Sequence, residues 1–158
     1  MFESCNGGSV MQKRVVANDI IVPEIARLVA EGTKVTFVPK GISMLPFIHG
    51  GRDSVVLGQA QDLRIGDIAL ARIGSSFVLH RVFAIDGDMV TLMGDGNIAG
   101  TEKCTRADVL AVAEFIKKDG HDIDCRSRNH LRKAEIWKRM LPVRRYLLAI
   151  YRRIIRLK

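Results

Sequence analysis

The chain has 158 residues, 47% of them hydrophobic, and a formal net charge of +8. That length suits one domain with a buried core, and no apolar run approaches the ~18–20 residues that span a bilayer. The charge is uneven: residues 1–125 carry 13 Lys and Arg against 16 Asp and Glu, whereas residues 126–158 carry 12 against 1. The basicity therefore belongs to the C-terminal segment, and that segment needs a partner. Cys5, Cys104 and Cys125 leave one thiol unpaired in any intramolecular pairing and form no Cys-x-x-Cys motif, which points to a reducing compartment. The start, Met1-Phe2-Glu3-Ser4, lacks the basic-then-apolar order of a secretory signal, so a cytoplasmic protein is expected.

In chain order, residues 1–17 are small, polar and irregular and predict a flexible terminus. Asn18-Asp19 offers a helix cap before Ile20, Ile21, Ile25, Leu28 and Val29, with Pro23 expected in the first turn and Gly32 past the end. A helix over Asn18 to Glu31 follows. From Thr33 the period changes to two, predicting strands at Lys34 to Val38, Ser54 to Leu57, Ile68 to Arg72, Phe77 to Ile85, Met89 to Met93 and Leu110 to Lys117. Asp86-Gly87 suits the tight turn of a hairpin over Val78 to Leu92. Residues 18–125 thus form a mainly β core, and residues 126–158 a basic helical tail. On a helix over Trp137 to Lys158, Lys138, Arg139, Arg145, Arg152, Arg153 and Arg156 group on one side, with Met140, Val143, Leu147, Ile150, Tyr151 and Ile154 on the other. Pro142 begins or kinks this amphipathic cationic helix, which suits a membrane interface.

Three short motifs carry chemistry-bearing residues: Gly41-Ile42-Ser43-Met44-Leu45-Pro46-Phe47, Leu79-His80-Arg81-Val82 and Gly94-Asp95-Gly96-Asn97. Each has a plain reading by itself: a serine bonding backbone in a Gly/Pro turn, a core histidine on a strand, a turn aspartate. No metal-ligand spacing links His49, His121 and His130, and no Gly-Lys-Ser/Thr closes a phosphate loop, so neither metal nor cofactor is expected.

As an ordered set with Gly66-Asp67-Ile68 between them, the motifs resemble the signature of the signal peptidase I and LexA-type serine peptidases, over roughly Val35 to Ile116. Where many members have Lys-Arg-Val this chain has His80-Arg81-Val82, which is similar to the endoplasmic-reticulum and SipW-like branch with a histidine base. The resemblance implies an α+β, mainly β peptidase core, flanked here by an N-terminal helix and a basic amphipathic C-terminal helix. It also implies Ser43 as nucleophile and His80 as general base. Asp95 is then the carboxylate that orients His80, and histidine in place of lysine suits chemistry near pH 7 because an imidazole needs no large pKa shift there. Gly41, Ile42, Met44 and Pro46 would line the oxyanion and substrate site, with the Ser43 amide as donor.

The chain departs from the pattern in having Gly96 interposed in the Gly-Asp-Asn box and no second Asp close behind, where Asn97 and Glu102 are the nearest polar stand-ins. Gly41 also supplies no hydroxyl two residues before Ser43. Residues 1–40 hold no Ala-Gly or Cys-Gly bond, so LexA-type self-cleavage is not expected. The expected function is limited proteolysis of a peptide or protein substrate, with Arg139, Arg145, Arg152 and Arg153 holding the protein to an anionic membrane surface at the inner face. A second reading keeps the fold as a binding module with little turnover. Nucleic acid is the weaker partner for the tail, whose broad aliphatic face has no use on phosphate, and packing on the core is the plain alternative for that face. Oligomeric state stays open.

Overall fold

A computed structural model describes residues 18–157. The irregular segment 1–17, the side-chain cap at Asn18-Asp19 and any pairing of Cys5 lie outside the described residues. The chain begins with helix α1 (Asn18–Ala30), followed by strands β1 (Val35–Phe37), β2 (Ser54–Gly58), β3 (Ile68–Ile73), β4 (Ser76–Asp86), β5 (Met89–Met93) and β6 (Glu102–Thr105). A 3-10 turn (Arg106–Asp108) leads into β7 (Val109–Lys118) and β8 (His121–Asp124), and helices α2 (Arg128–Arg139) and α3 (Leu141–Arg156) close the chain.

The strands make one curled antiparallel sheet in the order β1-β2-β7-β3-β4-β5-β6, with β8 also paired to β7. Long β7 serves two sets of neighbours because β3 pairs with its first half and β8 with its last four residues. Alternation along the strands sends Val55, Leu57, Ile68, Leu70, Leu79 and Ile116 to one cluster, and Ala69, Ala71, Val82, Val90 and Leu92 to the other.

Helix α1 covers the first cluster with Val22, Ile25 and Val29, each burial contributing roughly 1.5–3 kcal/mol. The buried stripe is thus shifted from the expected one: Val22 joins it, and Ile20 faces outward, 71% exposed. Pro23 lies inside the helix rather than in its first turn, so the Asp19 carbonyl loses the amide that residue 23 would normally donate.

All six expected strands form, within one or two residues at their ends. The β4–β5 turn is shifted from the expected one by one position. Asp86 pairs with Met89, so the two loop residues are Gly87-Asp88 rather than Asp86-Gly87. Of these only Gly87 has positive φ, at 57°, the pattern of a turn that needs glycine at its first central position. Strands β6 and β8 escape the pattern because Glu-Lys-Cys-Thr and His-Asp-Ile-Asp present few apolar residues.

The tail is two helices, not one. Ser127 caps α2 by accepting the His130 amide, and α2 stops at Arg139. After Met140 the chain restarts in α3 with Pro142 in the first turn, where its missing N–H costs no helical bond. Both helices pack on the domain, burying His130, Ala134, Arg144 and Leu148. Arg126, just ahead of α2, donates to buried Asp67 from Nε (2.9 Å) and Nη2 (2.7 Å), tying the start of the tail to the start of β3. Among the described residues, no helix is long and apolar enough to cross a membrane.

Candidate active site

Ser43 sits in the turn between β1 and β2. Leu45 N–H donates to the Ile42 carbonyl and Ile48 N–H to that of Met44, while Met44 and Leu45 anchor the turn in the core. Gly41 has φ +85°, a backbone conformation that a side chain would strain, and no atom lies within 4 Å of where its Cβ would be. The open approach expected there is therefore joined by a conformational demand for glycine. Of the residues expected to line the substrate site, Gly41 and Met44 share a cavity with Ser43, whereas Ile42 is exposed and half-buried Pro46 opens on a separate pocket beside Phe47, Ile116 and His130.

The Ser43 carbonyl accepts a 2.7 Å bond from Gly96 N–H, which brings the segment after β5 against the serine turn. A Cβ on Gly94 would lie 2.5 Å from the Ser43 carbonyl oxygen, and one on Gly96 would lie 2.3 Å from that of Ile42. These glycines serve close backbone contact and not a flexible exposed turn: Asp95 between them is 5% exposed.

His80 lies on β4. It lines the same cleft as Ser43, a cavity of about 120 Å³ whose other walls include Phe37, Gly41, Met44, Leu70, Phe77 and Leu79. The structure thus brings together Ser43, His80, Gly41 and Met44. The expected link from Asp95 to His80 does not form. Asp95 is claimed by Arg81, whose Nε donates to Oδ1 (2.9 Å) and Oδ2 (3.0 Å) and whose Nη2 donates to Oδ2 (2.7 Å).

The carboxylate on His80 is instead Glu102, with Nδ1 3.0 Å from Oε2. Strand alternation is the reason. His80 pairs with Ala69, and two residues on, Val82 pairs with Leu92 and Leu92 with Glu102, so His80 and Glu102 share a face. Arg81 pairs with Met93, and Asp95 follows Met93 by two residues, on the other face. A sequence signal existed for Glu102, since it stands among the few polar residues after Gly94-Asp95. What was lacking was β6, the polar edge strand that carries it.

A carboxylate accepting from Nδ1–H fixes the histidine tautomer, leaves Nε2 as the basic nitrogen and stabilises an imidazolium when one forms. Arg81 spends its remaining reach on the Gly66 carbonyl (Nη1, 2.8 Å) and packs over the Phe47 ring, 4.9 Å from its centroid. Phe47 in turn meets the His130 ring edge-on at 5.4 Å.

The tail's cations prove to be of two kinds. Arg152, expected at an outer surface, donates from Nη2 to the Gly96 carbonyl at 3.2 Å. Arg144 donates to the Asn97 and Trp137 carbonyls, and Trp137 Nε1 donates to the Asp95 carbonyl at 2.8 Å. Three successive carbonyls, those of Asp95, Gly96 and Asn97, are therefore held by the tail, while the same loop holds Ser43 from its other side. Arg145 and Arg153 are exposed, as is Arg139, which pairs with Glu135 on its own helix. Buried Cys104 and Cys125 are both free thiols; burial raises the pKa of each, Cys125 to about 12, so neither is a ready nucleophile.

No family model matches the chain, and no curated protein matches it at a significant level.

Proposed function

We propose that the chain is a serine peptidase carrying out limited proteolysis, with Ser43 as nucleophile, His80 as general base and Glu102 as the residue that positions His80. The carrying observation is the shared cleft of Ser43 and His80, together with the carboxylate 3.0 Å from His80 Nδ1. Ser43 Oγ attacks the substrate carbonyl carbon as its proton passes to His80 Nε2. The tetrahedral intermediate collapses, the peptide C–N bond breaks, and His80 returns the proton to the leaving amine. Water, deprotonated by His80, then attacks the acyl-serine ester, and the proton goes back to Ser43 as the acid product leaves. The backbone amide at Ser43 is the donor available to the oxyanion, in a turn pinned by Gly96. Asp95 has a structural part: with Arg81 it holds together the loop on which the serine turn rests.

The test is labelling by a fluorophosphonate probe at neutral pH. Covalent adduct at Ser43 in the wild type, and loss of it in folded Ser43→Ala and His80→Ala, supports the peptidase. Absence of labelling in all three folded proteins turns the reading to a peptide-binding module built on the same cleft.

A further inference from the structure

Packing of the tail on the domain leaves one part of it uncovered. The inner side of α3 is occupied by Arg144 and Leu148, with Tyr151, Arg152 and Ile155 half-buried. On the outer side Val143, Tyr146, Ile150, Ile154 and Leu157 are all exposed, Tyr146 by 66% and Ile150 by 60%. At about 100° per residue these five fall within an arc of roughly 80°. They form a continuous apolar stripe along a helix of 16 residues, about 24 Å long. Exposed Arg153 borders that stripe, about 20° round the helix from Tyr146, and exposed Arg156 and Arg145 follow on the same side, about 80° and about 100° from it.

Helix α3 contains no Asp or Glu, and residues 126–158 contain only Glu135. An isologous antiparallel pairing of two α3 stripes would set this arginine margin against its own copy, with no carboxylate on either helix to offset it. An apolar surface with anionic groups at its level meets both requirements, and a lipid leaflet rich in acidic headgroups has that chemistry.

We propose that the outer face of α3 is a docking surface for an anionic lipid bilayer: the stripe enters the acyl boundary and Arg145, Arg153 and Arg156 sit among the headgroups. The helix lies flat, because its opposite side is committed to the domain. Of the four tail arginines expected at a membrane, Arg145 and Arg153 keep that role, Arg156 joins them, and Arg152 is turned inward. The inference does not rest on the peptidase reading, since binding is measured without turnover.

The experiment is co-sedimentation of the full chain with vesicles of phosphatidylcholine alone or with about 30 mol% phosphatidylserine. Binding to the anionic vesicles only is expected, falling steeply between about 0.1 and about 1 M salt. Replacing Arg145, Arg153 and Arg156 together by Gln should weaken it about 100-fold, roughly fivefold per arginine. Ile150→Asp should weaken it at least about tenfold through the apolar contact. Equal binding to both vesicle types, binding to neither, or variants that bind as the wild type does would overturn the proposal. So would a lipid-free dimer that Ile150→Asp dissociates, which would assign the stripe to a second copy. Should a variant fail to fold, the wild-type comparison of vesicle composition and salt decides alone.

Discussion

His80 and His130 are almost equally buried, 6% and 5% exposed, yet the two sides of the molecule treat them oppositely. His80, in the sheet, has Glu102 on Nδ1. His130, in the first turn of α2, has Nε2 buried with no hydrogen-bond partner, and burial followed by the nearby Arg81 charge pulls its pKa down to about 4, against weaker opposing pulls from Asp95 and Asp124. The arginines repeat the contrast. Arg81 is matched by the Asp95 carboxylate, whereas Arg144, 3% exposed, donates only to backbone carbonyls and keeps a buried Nε without a partner, and its pKa is lowered by burial. Equal burial therefore leaves the two histidines with opposite hydrogen-bond surroundings. The sheet side gives His80 and Arg81 carboxylate partners, Glu102 from β6 and Asp95 from the loop after β5, and the helical layer, nearly without acids, uses the carbonyls of the loop it covers.

The strongest test of this contrast is at Ser43 and His80, the proposed nucleophile and its proposed base. Ser43→Ala and His80→Ala are each expected to lower turnover by about 10⁴ or more with the fold retained, while His130→Gln leaves turnover within a few-fold. Peptide hydrolysis and thermal melting, read together, separate the two histidines.

Next comes the choice between carboxylates. Glu102→Gln should lower kcat by roughly 10²–10⁴ through loss of the tautomer and of imidazolium stabilisation, with little change in Tm. Asp95→Asn should do the reverse first: breaking a buried ion pair costs about 3–5 kcal/mol of stability, read by urea unfolding. If Asp95→Asn lost activity at unchanged stability and Glu102→Gln did not, the roles assigned here would have to be exchanged.

A smaller effect is expected from acid. The unfolded chain takes up a proton at His130 near pH 6.5, whereas the folded chain resists it down to about 4. Between those values the unfolded state binds more protons, so this group's contribution to stability falls as pH drops through that window, by on the order of 3 kcal/mol in full. His130→Gln should remove this slope from the pH dependence of unfolding, and an unchanged slope would contradict the environment described for α2. The smallest effect concerns the thiols. Native Cys104 and Cys125 should resist iodoacetamide at neutral pH and react once urea exposes them, because burial keeps both protonated.

The amino-acid sequence by itself determined the elements whose periodicity is strong: α1, the six apolar strands, and the separation of an almost neutral core from a basic tail. It also brought Ser43, His80, Gly41 and Met44 to attention, because turn glycines and short motifs are local signals. Only the tertiary structure decided which carboxylate meets His80, since that depends on the face each residue takes after pairing, and a polar edge strand such as Glu102–Thr105 carries no hydrophobic pattern to announce it. It likewise decided which tail arginines face outward. A helical wheel separates Arg144, Arg152 and Arg153 by angle alone, but which angle faces the domain is set by the carbonyls of Asp95, Gly96 and Asn97, contributed from more than 40 residues away along the chain.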